Sequence, residues 1–188
     1  HYPLIQSEVL NQNTLLEVAA GTVSHPYVRD IYVPRNYQNL LLISQPTTAS
    51  CIHLIDGAIP AYSTSERLIV EKAGGFSDIN RVVTSGTPPL PPAAIFGPEP
   101  EHGWCYYYQQ AALSRQRGAW SQIGAIYDET LSMGLKPADA SEYFVFIEGL
   151  VNMGRTDEAQ KIANDLKENG ALKYSLCSSL AAAPDYYE

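Results

Sequence analysis

Residues 99–111 read Glu-Pro-Glu-His-Gly-Trp-Cys-Tyr-Tyr-Tyr-Gln-Gln-Ala, and this stretch opens the helical half of the chain. Its large apolar residues recur at i, i+3, i+4, i+7 and i+8, the spacing that places side chains on one face of an α-helix. The residues on that face are Trp104, Tyr107, Tyr108, Ala111 and Ala112. The sequence therefore predicts a helix that begins near Trp104 and buries this stripe.

The same period continues to the C-terminal end, interrupted by glycine turns at Gly118, Gly134 and Gly154. The predicted buried stripes are Trp120, Ile123, Tyr127 and Leu131; then Tyr143, Ile147, Leu150 and Val151; then Ala159, Ile162, Ala163 and Leu166; and finally Leu172, Leu176 and Leu180. The spacing of Gly118 and Gly154 is close to the ~34-residue period of tetratricopeptide repeats. Two such units are fewer than the ~3 that fold alone, so we expect the helices to pack on the N-terminal half.

The N-terminal half has the pattern of a small sheet with helices. A broken helix is predicted over residues 4–20, extended segments over 27–33, 39–44 and 51–56, a helix over 63–73 that Ser63 to Glu66 would cap, and a short element over 77–83. Short connections favour antiparallel neighbours, which predicts a three-stranded sheet. Six prolines between residues 88 and 100 predict a stiff connector over 86–101.

These patterns together predict an α+β fold in one body. Residues 1–97 would form a small, mostly antiparallel sheet with helices, ending in the proline-rich connector. Residues 98–188 would form a tetratricopeptide-like region of helical hairpins packed on it.

Composition excludes some classes of partner. The net charge is −8 and Lys and Arg are nowhere clustered, which argues against nucleic acid and anionic lipid as partners. No apolar run approaches the ~20 residues of a membrane-spanning helix, so we expect no direct membrane insertion of this segment.

The chain lacks the sequence motifs of common enzymes. It contains no GxSxG or HExxH motif, phosphate-cradling loop or dinucleotide fingerprint, so we predict no catalytic residues, metal or cofactor. Asp56 and Asp78 are isolated carboxylates and are interpreted as caps. Asp139 is predicted to cap a helix, with Glu142 completing a capping box.

The candidate ligand-binding residues lie at the entrance of the first predicted C-terminal helix: Glu99, Glu101, His102, Trp104 and Tyr106. Acids beside an imidazole and aromatic rings could hold a ligand. The alternative is that the acids complement the helix macrodipole and Tyr106 is an ordinary exposed aromatic residue. Three cysteines, Cys51, Cys105 and Cys177, show no zinc-site spacing, and one disulfide or three thiols would fit equally.

Three strings carry a resemblance to a known class of protein: residues 51–56 (Cys-Ile-His-Leu-Ile-Asp), 76–81 (Phe-Ser-Asp-Ile-Asn-Arg) and 95–108, which include Gly-Trp-Cys-Tyr-Tyr-Tyr. The likeness continues through residues 112–118 and 146–149. The chain resembles the soluble C-terminal domain of Chloroflexi-type polytopic membrane proteins of the glycosyltransferase-like, or dolichyl-phosphate-mannose-transferase-like, class.

The resemblance implies an extracytoplasmic domain attached to a membrane portion that carries the catalytic acids. It places Cys51 and Cys105 in two of the matching strings, and a disulfide between them is the corresponding hypothesis. The expected function is a non-catalytic interaction or accessory domain whose partner is another protein or the membrane portion of the parent chain. The alternative is a domain that binds a carbohydrate or lipid-linked sugar through Trp104, Tyr106 and the neighbouring acids.

Overall fold

The computed structural model describes residues 7–82, 91–166 and 170–182, and it is a mixed structure in which helices dominate. The described helices are α1 (Gln12–Ala20), α2 (Leu68–Gly74), α3 (Ala93–Phe96), α4 (Trp104–Gln116), α5 (Trp120–Ser132), α6 (Phe144–Asn152), α7 (Thr156–Leu166) and α8 (Gly170–Ala182). The strands are β1 (Val23–Ser24), β2 (Tyr27–Val28), β3 (Ile31–Tyr32), β4 (Arg35–Asn36), β5 (Ile43–Ser44) and β6 (His53–Leu54). Short 3₁₀ helices cover Ile79–Arg81 and Ala140–Tyr143.

The strands confirm an α+β class with antiparallel pairing, but the predicted three-stranded sheet is wrong. They form three separate two-stranded ladders, β1 with β4, β2 with β3 and β5 with β6. The segment predicted as one strand over residues 27–33 is a hairpin, because Arg29 (φ 49°) and Asp30 (φ 62°) both adopt left-handed backbone. Two such residues form the tight turn whose twist matches antiparallel strands. The short element predicted over 77–83 is a 3₁₀ helix at Ile79–Arg81, and residue 83 lies outside the described residues.

The N-terminal helices begin later than the sequence suggested. The helix α1 begins at Gln12, where Asn11 Oδ1 accepts hydrogen bonds from the backbone of Asn13 and Thr14. The helix α2 begins at Leu68 rather than near Ser63, and its N-cap residue makes no side-chain cap. Glu66, the predicted capping acid, instead accepts a hydrogen bond from Ser44 Oγ at 2.9 Å. Residues 4–6 of the predicted first helix, and 86–90 of the predicted connector, lie outside the described residues.

The helices α4 to α7 pack in chain order, α4 on α5, α5 on α6 and α6 on α7, and α4 also contacts α6. Glycines with left-handed backbone end three of these helices: Gly118 (φ 64°), Gly134 (φ 65°) and Gly154 (φ 75°). After α4, the Ala119 amide bonds back to the Ser114 carbonyl, which satisfies a free carbonyl at the helix end. The three predicted turns are thus confirmed.

Within the described ranges, two hydrophobic clusters form the core. The larger one contains residues of α4 to α8 together with Cys51, and Trp104, Ile123, Phe146 and Leu150 are among its buried members. The smaller one contains Leu42, Ile55, Val70 and Ala73 from the N-terminal half. One residue of the predicted stripes, Leu131, is 56% exposed and lies outside both clusters. The presence of Cys51 in the larger cluster shows that the segment before β6 packs into the helical half.

Candidate functional site

The disulfide between Cys51 and Cys105 ties the segment before β6 to the first turn of α4. The two residues are 54 apart in sequence, and their Cα atoms are 5.2 Å apart. Cys51 is buried, whereas Cys105 is exposed. The structure thus contains the pairing that the resemblance implied, and this crosslink fixes β6 against α4. Cys177 is a free and exposed thiol.

The carboxylate of Glu142 lies beneath this disulfide and is fully buried. Its Oε1 accepts a hydrogen bond from the Cys51 backbone amide at 2.7 Å, and its Oε2 accepts one from the Trp104 indole at 2.6 Å. The Sγ of Cys51 is 3.2 Å from Oε2 but has no proton to donate, because it belongs to the disulfide. The capping-box role predicted for Glu142 is therefore wrong: its carboxylate joins three segments of the chain.

Asp139 lies beside Glu142 and, as predicted, caps a helix, the 3₁₀ helix Ala140–Tyr143. Its Oδ1 accepts hydrogen bonds from the backbone amide and the hydroxyl of Ser141, and its Oδ2 accepts one from Ser50 Oγ at 3.1 Å. Burial raises the pKa of Asp139, but the hydrogen bonds from Ser63 and Ser141, together with the charge of His53, outweigh burial. The pKa of Asp139 therefore lies below its ordinary value.

His53 completes a buried cluster that has the chemistry of a metal site. Ligand atoms of His53, Asp139 and Glu142 all lie within 4.8 Å of one another. One imidazole and two carboxylates would suit zinc. Each carboxylate, however, already accepts hydrogen bonds from backbone or side-chain donors, and His53 Nε2 is 3.3 Å from Glu142 Oε1. The arrangement is that of a satisfied polar network holding the fold together.

A pocket with a volume of about 750 Å³ adjoins this network. Its wall is formed by residues of β6 and the following loop, α4, the start of α5, α6, α8 and the two 3₁₀ helices. The lining includes both hydrogen-bonding and apolar side chains. Its charged side chains, within the described part of the chain, are Asp56, Arg115 and Glu148, and its large aromatic ones are Tyr108, Trp120 and Phe144.

Arg115 organises the polar side of the pocket. Its Nε donates to Glu148 Oε2 at 2.6 Å, and its Nη1 lies 3.8 Å from Asp56 Oδ2. The side chains of all three remain partly exposed, between 12% and 22%. Since helix α4 carries Arg115, α6 carries Glu148 and the loop after β6 carries Asp56, the charged groups meet only in the folded chain.

Tyr108 connects the pocket to the buried network. Its ring centroid is 5.4 Å from that of His53. Burial raises the pKa of the Tyr108 phenol, and the charges of Glu142 and Asp139 raise it further. The phenol is therefore a neutral hydrogen-bonding group at the wall throughout the physiological range.

The candidate residues from the sequence do not assemble into this pocket. Trp104 is buried and points at Glu142, so its ring is unavailable for ligand stacking. His102 bonds to Glu99 at 2.8 Å and stacks on Tyr106, with centroids 3.5 Å apart, while Glu101 is exposed. None of these five residues lines the pocket. Asp56, which does line it, also accepts a hydrogen bond from the Ala58 amide, so its interpretation as a turn cap is confirmed.

Sequence reasoning missed Arg115 and Glu148. Arg115 follows the helical stripe and reads as an ordinary exposed helix residue, and Glu148 is a lone acid within the apolar run of α6. That interruption was the available signal, since an acid inside a buried helix needs a partner.

No protein-family model matches the chain, and the same holds for curated proteins and solved structures. In the described ranges, no helix has both the length and the apolar character needed to cross a bilayer.

Proposed function

We propose that this chain is a non-catalytic carbohydrate-binding domain whose binding site is the pocket around Arg115. The observation that carries the proposal is the composition of that pocket: two carboxylates and a guanidinium line it together with aromatic and aliphatic side chains, and its volume is about 750 Å³. This volume is within the range of small-molecule sites. A sugar presents hydroxyls on its rim and C–H bonds on its faces, so it needs polar groups beside an aromatic surface, which Tyr108 and Trp120 offer.

On this proposal the domain works outside the cytoplasm, as an accessory part of a membrane glycosyltransferase-like protein. The disulfide between Cys51 and Cys105 supports that compartment, because disulfides persist in oxidising environments. The sugar would be an acceptor or product that the domain holds near the membrane portion of the parent chain.

A second candidate is a protein-interaction domain built on tetratricopeptide-like hairpins. It is favoured by the packing of α4 to α7 in chain order. Leu131, Met133 and Met153, near the ends of α5 and α6, are large apolar residues that are 56%, 44% and 38% exposed. The partner would be another protein or the membrane portion of the parent chain.

The two tryptophans allow a direct test. In an NMR titration with short glycans and polyprenyl-phosphate sugars, a ligand in the pocket should shift the indole N–H signal of Trp120. The signal of Trp104, whose indole is held by Glu142, should move much less. The variant Trp120→Phe assigns the two signals, and a thermal shift measures stabilisation by the same ligands.

Matched variants locate the ligand. Arg115→Gln in the pocket should abolish the shift, and Tyr106→Leu, at the site predicted from sequence, should leave it unchanged. If no glycan shifts the Trp120 signal, the carbohydrate proposal is wrong. Shifts confined to Met133 and Met153 on addition of the membrane portion of the parent would support the interaction candidate.

A further inference from the structure

The charged side chains of the pocket restrict which sugars it can accept. Among its described lining residues, two carboxylates, Asp56 and Glu148, stand against one guanidinium, Arg115. Apart from the imidazole of His53, the lining therefore has one more negative than positive side chain. The chain as a whole carries a net charge of −8, so the surrounding potential has the same sign.

The guanidinium is already engaged by protein carboxylates. Glu148 takes its Nε–H at 2.6 Å, and Asp56 lies 3.8 Å from Nη1. An anionic ligand would have to compete with both acids for the same cation, and its own charge would face theirs at short range. A phosphate site has the opposite arrangement, in which donors outnumber acceptors around the bound oxygens.

The same arrangement suits hydroxyl groups and amines. A carboxylate accepts hydrogen bonds from sugar hydroxyls, and the remaining N–H groups of a guanidinium donate to hydroxyl oxygens. A protonated amine on the sugar would add an attractive charge where the lining is negative.

We propose, resting on the carbohydrate-binding function above, that the pocket selects sugars without negative charge and binds amine-bearing sugars best. Phosphorylated sugars and uronic acids bind more weakly than neutral sugars. Glu148 and Asp56 make this selection, because they already pair with the positive charge of Arg115 that an anion would need.

A matched series of hexoses tests the selection: glucosamine, glucose, glucuronic acid and glucose 6-phosphate, each titrated against the whole chain while the Trp120 indole signal is followed. The expected order of affinity is glucosamine, then glucose, with both anions about tenfold weaker than glucose at low salt. Added salt should shrink the differences, because screening weakens charge interactions but not hydroxyl hydrogen bonds.

The variant Glu148→Gln keeps the side-chain shape and removes one negative charge from the lining. It should bind glucose 6-phosphate at least as well as glucose and lose the preference for glucosamine. The control is Glu158→Gln, which removes the same charge from an ion pair with Arg155 outside the pocket and should keep the wild-type order.

The outcomes separate the two proposals. If the phosphorylated sugar shifts Trp120 at lower concentration than glucose does, the charge selection is wrong and carbohydrate binding stands. If the two glutamate variants behave alike, the selection comes from overall charge and the role of Glu148 is overturned. If no sugar shifts Trp120, the carbohydrate-binding function itself fails, and this inference with it.

Discussion

The indole of Trp104 donates a hydrogen bond to the carboxylate of Glu142 at 2.6 Å, across 38 residues of sequence. Glu142 is fully buried, and its second oxygen accepts the backbone amide of Cys51. A buried carboxylate is costly unless such donors surround it. The two hydrogen bonds to Glu142 therefore join α4, the segment before β6 and the 3₁₀ helix Ala140–Tyr143. They hold the first turn of α4 in place beside the pocket.

Replacing Glu142 by Gln should destabilise the fold strongly. Gln keeps the size but offers one acceptor oxygen in place of two, and its amide would point N–H groups at the Cys51 amide or the Trp104 indole. We expect a loss of about 2–3 kcal/mol in the free energy of unfolding, measured by urea denaturation.

The matched control is Glu101→Gln, at an exposed position just before α4, where the change should be within about 0.5 kcal/mol. Trp104→Phe removes the indole donor, and the double variant with Glu142→Gln should lose less than the sum of the single losses. Strict additivity would show that the two side chains do not interact in solution.

Removal of the disulfide should lower stability by about 3–4 kcal/mol, because the crosslink closes a long loop in the unfolded chain. The double variant Cys51→Ala with Cys105→Ser measures this by thermal denaturation, and reductant should reproduce much of the effect in the wild type. Cys177→Ser is the control, since Cys177 is free and exposed. An intact mass that is unchanged by reductant would contradict the pairing.

Stability should fall in acid partly through Asp139. Its pKa is lower in the folded chain than the ordinary 3.8, so its contribution is present above pH 3.8 and is lost as the pH falls toward the folded pKa. Asp139→Asn should flatten the decline of the urea midpoint between pH 6 and pH 3. Asp30→Asn, at an exposed turn position that tolerates Asn, should leave the slope unchanged. Equal slopes in all three proteins would refute this role.

Two glycines at the contacts of α5 and α6 should respond differently to alanine. A Cβ on Gly149 would meet the branched side chain of Ile123, with the Ile123 Cβ only 2.8 Å away. A Cβ on Gly124 would meet the end of the Met153 side chain, which is flexible and can move. We expect Gly149→Ala to cost about 1–3 kcal/mol and Gly124→Ala to be nearly neutral, since the end of the Met153 side chain can move away and helix propensity offsets the remaining cost. Chemical denaturation of both variants checks the contrast, and equal losses would contradict it.

The helical half was predictable because its signals are local. The stripe at Trp104, Tyr107 and Ala111 is buried as its period required, and glycines such as Gly118 and Gly154 end helices because their backbone reaches left-handed angles readily. The N-terminal half was less predictable, since two-residue strands are too short to show an alternating pattern. The turn places Arg29, a residue type that seldom adopts positive φ, beside Asp30 and contains no glycine, so it lacks the sequence pattern of a two-residue hairpin turn.

The residues predicted from sequence as a ligand site differ from those that line the pocket, for a related reason. Trp104 and Tyr106, two residues apart in sequence, point in different directions once α4 has formed, because successive helical residues are rotated about the axis, and Glu99 and Glu101 precede the helix. The pocket instead draws its charges from Asp56, Arg115 and Glu148, which are neighbours only after α4, α6 and the loop after β6 have packed.

By itself, the sequence determined the helical periods, the glycine turns, the acidic balance and the chemical capacity for a disulfide, since each depends on residue type and on spacing within one or two helical turns. Tertiary packing alone decided that Glu142 would be a buried acceptor for Cys51 and Trp104, and that Arg115 would lie between two carboxylates at a pocket wall. The physical reason is that a buried charged group must be paired with donors or opposite charges from the segments that pack around it. Those segments are far apart in the chain, so no pattern of neighbouring residues indicates which of them will meet.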